Sequence, residues 1–344
     1  VVQNSMKNWK TIGRYIVLLA LAALTLSGCA GQENLSAMIP KGEGAEQQYD
    51  LIKLTTYVML FVTVIVIFLF IYALVKYRAK PGDNSIPKQV EGNAKLEFLW
   101  TAIPLVLIII IAIPTVKSEF ALADVPEDAM KIKVTANQFW WEFEYPEYGV
   151  ITAQDMYMPV GEKVGLELKS KDVIHSFWVP ALGGKMDTNP DNTNKMWLQA
   201  KETGVYQGKC TELCGAGHAL MDFKVKVVTK EEFEAWIEKM KKPENPAPAT
   251  AKAEEGQQLF QKSCMGCHAT DGTQRSIGPN MKGFGDRSTV AGYLELNEEN
   301  TMKWLKDPQK VKQQNKMPNP MQDLGLNEDQ LSALTEYLLG LKLE

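Results

Sequence analysis

Five cysteines and three histidines are few enough in this chain for their spacing to be read one residue at a time. Cys210, Cys214, His218 and Met221 fall in a single string, Cys-Thr-Glu-Leu-Cys-Gly-Ala-Gly-His-Ala-Leu-Met, and His175 precedes it by 35 residues. One thiolate, two imidazoles and a weak thioether form the donor set of a mononuclear blue-copper site, with Cys, the second His and Met on one loop. The extra thiolate, Cys210, changes that count. Two thiolates can bridge two coppers in a Cu-S-Cu-S core, each metal taking one imidazole. Met221 then serves as a weak ligand on one side, and the backbone carbonyl of Glu212 on the other. The most economical site is therefore binuclear copper, which spreads one electron over two metals and suits electron transfer rather than bond-making. Two other readings use the same residues. A Cys2His2 zinc site leaves Met221 without a role, and a Cys210–Cys214 disulfide suits an exported domain.

A second cluster, Cys264-Met265-Gly266-Cys267-His268, is the attachment string for covalent haem c, both cysteines adding to the haem vinyl groups and His268 ligating iron. The alternative is a redox dithiol with an adjacent histidine. The opposite axial ligand has four candidates: Met281, Met302, Met317 and Met321. Met317 is preferred, because Lys316-Met317-Pro318-Asn319-Pro320 resembles the methionine loop of class I cytochromes c. Ile277-Gly278-Pro279-Asn280 resembles the same family's proline segment, whose carbonyl holds the imidazole of the proximal histidine.

These groups need a frame. From about residue 120 to 228 short alternating runs (Lys131–Val134, Phe139–Tyr145, Val164–Leu168, Val173–Val179, Phe223–Val228) separated by turn residues predict an all-β sandwich or barrel. Thr229 with Glu232 opens a short helix bearing Phe233, Trp236, Ile237 and Met240. A Pro/Ala linker, 243–251, leads to a largely helical tail, 252–344, where Asn327 and Gln330 cap a last helix striped with Leu331, Leu334, Tyr337, Leu338 and Leu341. Upstream, 54–75 and 98–116 are long and apolar enough to be transmembrane helices. The loop between them carries Lys76, Arg78, Lys80, Lys88 and Lys95 against Asp83 and Glu91, which places it in the cytoplasm and the chain after it on the outer face. Lys7, Lys10 and Arg14 before a short apolar run predict an export signal over 1–28. Leu26-Ser27-Gly28-Cys29 resembles a bacterial lipobox, which makes Cys29 the lipidated first residue of the mature chain, and 29–118 the anchored membrane segment.

With 45% hydrophobic and 23% charged residues and a formal net charge of -4, the composition excludes a disordered chain and argues against a nucleic-acid partner. The segment His175-Ser-Phe-Trp-Val-Pro-Ala-Leu-Gly-Gly-Lys-Met-Asp187, the Cys-x-Glu-x-Cys-x-x-x-His-x-x-Met loop and the two preceding helices together resemble subunit II of haem-copper cytochrome c oxidases over residues 45 to 228. The resemblance implies a cupredoxin domain, 119–242, on a transmembrane hairpin, holding the CuA centre. It further implies a magnesium ion shared with subunit I through the Glu212 carboxylate, and a proton-pathway entrance at Glu97. The family's aromatic cluster begins Gln-Trp, whereas here it reads Gln138-Phe139-Trp140-Trp141, so Phe139 stands where the electron-accepting tryptophan is expected and Trp140 and Trp141 become the candidates. With a haem c domain fused behind it, the chain resembles the caa3 type. The implied partners are the haem-copper subunit I and other oxidase subunits, with cytochrome c or a quinol-cytochrome c reductase as donor. Coupled proton translocation at a bacterial cell membrane is implied as well.

No second haem pocket with an open metal position is present in the sequence, so oxygen reduction is expected in the partner subunit. A CuA-bearing subunit of a nitric oxide reductase uses a similar hairpin and copper loop. A lipid-anchored copper carrier is the non-enzymatic alternative, although a carrier has no use for a haem.

Overall fold

The computed structural model describes residues 13–18, 20, 21, 31–78, 82, 86, 88, 89 and 91–344. Cys29 and the lipobox-like string lie outside the described residues. Two long helices, Glu43–Lys76 and Ala94–Ala123, are apolar enough to cross a membrane, and the side chains of their most apolar stretches are exposed. Both extend beyond the expected 54–75 and 98–116 because polar turns continue each helix past its apolar stretch. In the second, the Asn93 side chain accepts from the Lys95 and Leu96 amides, and Glu97 Oε1 accepts from the Asn93 amide at 3.2 Å. Glu97 thus helps close the helix N-terminus.

The β domain is two packed five-stranded sheets. One has the order β3-β2-β1-β5-β8, from β1 (Met130–Asn137), β2 (Trp140–Tyr145), β3 (Val150–Ala153), β5 (Val164–Ser170) and β8 (Asn194–Leu198). The other runs β4-β10-β9-β6-β7, from β4 (Asp155–Pro159), β6 (His175–Trp178), β7 (Lys185–Thr188), β9 (Gly204–Cys210) and β10 (Asp222–Val228). Alternation drives the packing: Trp141 and Phe143 of β2 point inward to meet Phe177 of β6 and Phe223 of β10, with ring centroids 4.6 to 5.9 Å apart among the four, while Tyr145 packs on Phe233 and Trp236. Of the ten strands, β1, β2, β5, β6 and β10 are visible as alternating runs, whereas β3, β4, β7, β8 and β9 are not. All four residues of β3 are buried, so it offers no alternation to see.

The β domain is stitched to the start of the first long helix by main-chain bonds. The Lys41 and Gly42 amides donate to the Ala181 carbonyl, Ala45 to Leu182, and Lys201 to Lys41. On the far side Thr229 and Glu232 form the expected capping box, and Phe233, Trp236, Ile237 and Met240 are all buried against the sheets.

The tail begins with helix Ala251–Ser263, capped by Thr250, and ends with helix Glu328–Gly340, capped by Asn327 and Gln330. Phe260 and Tyr337 meet at 5.6 Å, and Gly256 lets the two helices cross closely, since a Cβ there would lie 2.1 Å from the Ala333 carbonyl oxygen. The predicted apolar stripe is buried as expected. The tail is less helical than its sequence suggests. Between the flanking helices run a two-stranded ribbon, Thr289–Val290 with Leu294–Glu295, the short helices Glu298–Lys306 and Pro308–Val311, and long irregular stretches around a cavity.

Candidate copper and haem sites

His175 opens β6, Cys210 ends β9, and Cys214, His218 and Met221 follow on the loop into β10, so adjacent strands of one sheet bring all five together. The two sulfurs are 3.8 Å apart. His175 Nδ1 lies 3.9 Å from Cys210 Sγ, and His218 Nδ1 3.6 Å and Met221 Sδ 3.9 Å from Cys214 Sγ. The Glu212 carbonyl oxygen is 3.4 Å from Cys210 Sγ, and its side chain faces solvent. A sulfur separation near 2.05 Å would be needed for a disulfide, and both thiols are free. Two thiols, two imidazoles, a thioether and a carbonyl are more donors than one tetrahedral zinc takes, and their softness suits copper.

The second coordination layer is equally definite. His175 Nε2 is 2.8 Å from Asp172 Oδ1, which leaves Nδ1 to face the sulfurs. Burial lowers the basicity of His175, but its bonds to Asp172 and Cys210 outweigh that and raise it above the ordinary value. Asp172 is held well below the usual carboxylate range; burial opposes this, and bonds from His175 and the Gln138 and Val173 amides overcome it. The Cys210 thiol is pushed down by a hydrogen bond from Cys214 and then by His175. Trp141 Nε1 donates to the Met221 carbonyl at 3.3 Å, and Gln138 Nε2 to the Cys214 carbonyl at 2.6 Å. Phe139 covers the loop apex: a Cβ on Gly217 would lie 2.4 Å from its ring, so only glycine permits that approach.

The haem string lies on a cavity of about 380 Å³. Cys264, Cys267 and His268 share its wall with Phe260, Leu334 and Leu338, an apolar lining that fits a porphyrin. His268 Nδ1 is 2.8 Å from the Pro279 carbonyl, the arrangement expected of the proline segment, and leaves Nε2 for iron. Of the four methionines considered, Met281 and Met317 reach the cavity. The Met281 amide donates to Ala269, which ties it to the His268 wall, whereas Met317 arrives on the separate 312–318 segment.

The same cavity is walled on one side by the β domain, through Asn137, Gln138, Phe139, Trp140 and Asp172. Trp140 is therefore at the boundary between the two sites, and Trp141 is fully buried beside His175. Arg275 Nη1 and Nη2 reach Glu142 at 2.8 Å and Glu144 at 2.5 Å, Ile151 N–H donates to the Gly272 carbonyl at 2.6 Å, and Lys226 Nζ to that of Asp286 at 2.9 Å. The linker is also tied to the haem domain, by Asn245 to the Thr270 carbonyl and Lys282 to that of Glu244. Sequence reasoning found the ligand candidates but missed Asp172, Arg275 and Lys312, and named Gln138 only as the start of the aromatic string. Only Asp172, three residues before His175, had a local signal.

A double-sheet domain with a dithiol, bis-imidazole, thioether cluster, joined to a second domain whose cavity is lined by the Cys-x-x-Cys-His string, fits a membrane-anchored electron-transfer protein using copper and haem c. Known proteins agree. Family profiles for the cytochrome c oxidase subunit II transmembrane domain, its periplasmic domain and cytochrome c match residues 40–117, 151–228 and 253–342. Cytochrome c oxidase subunit 2 of Alkalihalophilus pseudofirmus is 49% identical over 98% of this chain and 99% of its own length. The protein of the same name from Bacillus sp. strain PS3 is 47% identical over all of both chains. A solved periplasmic domain of cytochrome oxidase subunit II from Bradyrhizobium japonicum aligns with 33% of this chain and 95% of that one, at 34% identity and a TM-score of 0.33. This chain belongs to the cytochrome c oxidase subunit II family, in its caa3-type form with a fused cytochrome c domain. It is part of an oxidoreductase complex with subunit I, and neither the nitric oxide reductase nor the copper-carrier alternative is favoured.

Proposed function

We propose that His175, Cys210, Cys214, His218, Met221 and the Glu212 carbonyl hold a binuclear CuA centre, and that Cys264, Cys267, His268 and Met317 hold haem c. When bound, the two groups supply one-electron transfer, from haem c through copper to the catalytic subunit that reduces oxygen. The residues prepare this by holding still. Asp172 fixes the His175 ring, the Pro279 carbonyl fixes His268, and Gln138 and Trp141 fix the carbonyls of Cys214 and Met221. Rigid ligands change geometry little between oxidation states, which keeps the barrier to electron transfer low. The observation that carries the reading is the haem cavity's shared wall: Phe139 and Trp140 line it, and Phe139 also packs on the copper loop.

We further propose a magnesium ion at the exposed Glu212 carboxylate, proton uptake at Glu97, lipidation at Cys29, and both metal domains on the outer face. The family resemblance supports the first two, the lipobox-like string the third, and the basic loop between the long helices the last. Cytochrome c or a quinol-cytochrome c reductase is the proposed donor. The test is to purify the intact complex through this chain, supply ascorbate and a mediator, and compare oxygen with nitric oxide consumption while measuring copper and haem. Cyanide-sensitive oxygen uptake, with two coppers and one covalent haem per chain, is expected. A single zinc in place of copper would overturn the assignment.

A further inference from the structure

Three alternate residues of the segment leading to Met317 touch three parts of the copper site. Lys312 is buried, and its Nζ donates to the Phe139 carbonyl at 3.1 Å and to the Ala291 carbonyl of its own domain. Gln314 Oε1 accepts from the Ala216 amide at 3.2 Å, within the loop between Cys214 and His218. Lys316 Nζ pairs at 3.2 Å with Asp172 Oδ2, while the other oxygen of that carboxylate binds the His175 ring. Asp172 therefore serves two masters, a copper-site histidine on one side and a lysine beside Met317 on the other.

We propose that Lys312, Gln314 and Lys316 are positioning residues of the copper site, so that seating the haem domain sets the environment of the copper ligands. The inference rests on the copper reading above. A carboxylate bonded to a metal-binding imidazole makes that ring a stronger electron donor. A lysine ammonium on the same carboxylate withdraws part of that effect and adds positive charge nearby. Both act in one direction, favouring the reduced copper pair when the haem domain is seated. Gln314 acts on geometry instead, by pinning the apex of the loop that carries Cys214 and His218, while Lys312 holds the carbonyl of the residue whose ring caps that apex.

The test uses the intact oxidase complex carrying Lys316→Met, Gln314→Ala, both together, and Lys316→Arg. Readouts are the copper electron paramagnetic resonance spectrum and midpoint potential, with metal and haem content measured on each sample. Lys316→Met is expected to shift the copper potential downward, and Lys316→Arg to restore it. Gln314→Ala is expected to alter the copper hyperfine pattern. Raising ionic strength is expected to move the wild type toward the Lys316→Met value, because Lys316 is exposed and screening reaches it. A copper-replete double variant with the wild-type spectrum and potential would overturn the inference. Absence of copper from the wild type would instead overturn the copper assignment itself.

Discussion

Arg275 is the clearest single fastener between the two metal domains. Its side chain is 48% exposed, yet the Glu142 side chain it grips is only 3% exposed. A fully exposed pair contributes up to about 1 kcal/mol, and removing one partner of a buried pair costs about 3–5 kcal/mol. Arg275→Ala should fall between these limits, at ~1–3 kcal/mol, because Glu142 keeps Lys171 at 3.9 Å as a remaining counter-charge. That corresponds to a loss in the docking equilibrium of roughly 5- to 150-fold. The Ile151 amide reports it directly, since its N–H donates across the boundary to the Gly272 carbonyl and has no such partner once the domains part. In hydrogen-exchange mass spectrometry of the intact complex, the peptide containing Ile151 should exchange faster in the variant. The Trp141 amide, bonded to Gln154 within the β domain, should not change. Unaltered protection at Ile151 would show that Arg275 contributes nothing to docking and that the reasoning from burial is wrong.

Other outcomes follow from the same geometry. Cys210→Ser should abolish the binuclear copper signal while leaving covalent haem in place, read by metal analysis and haem staining of the denatured chain. Met317→Leu should retain covalent haem through Cys264 and Cys267 but lose the thioether-ligated low-spin spectrum, whereas Met281→Leu should keep it. Burial pulls the Lys312 ammonium down to about 7 from an ordinary 10.5. The separated domain binds the extra proton between those values, so docking should strengthen as pH rises from about 7 toward 10.5 and be weakest below that window. Lys312→Met should flatten this dependence in the same exchange assay.

The ligand set was legible because coordination chemistry imposes short, rigid spacings: Cys210 to Met221 form one loop, and Cys264 to His268 one helical turn. The two long helices were legible from length and apolarity, though their ends were not, since polar turns extend each helix. Strands β3 and β8 were hidden because consecutive burial erases period two, and β7 because its short polar-rich run resembles a turn. The flanking helices of the haem domain were legible from their caps and apolar stripe, while the irregular stretches between them carry no periodic pattern to read. Least legible were the contacts between domains. Gln314 and Ala216 are 98 residues apart, and no local pattern in either announces the other. Phe139, which stands where the family's electron-accepting tryptophan is expected, is only 2% exposed under the haem domain and is an internal contact of this chain.

The bonds that join the copper domain to the first long helix lean on the main chain, with the Lys201–Glu46 and Lys163–Glu43 ion pairs beside them, whereas those that join it to the haem domain lean on side chains, with the Ile151–Gly272 main-chain bond beside them. Lys41, Gly42 and Ala45 are sewn to Ala181 and Leu182 through main-chain bonds, which carry no net charge for salt to screen. Arg275 and Lys316 are exposed charged side chains that salt screens, and Lys312 is a buried one whose ammonium form burial disfavours. Tunnelling falls steeply with distance, so the gap between copper and the next acceptor in the membrane must hold constant from turnover to turnover. The haem domain carries no such demand in every phase, because it has to collect an electron as well as deliver one. The molecule thus has a firmer altimeter at its long helices and a looser coupling at its haem domain, and ionic strength acts more strongly on the second.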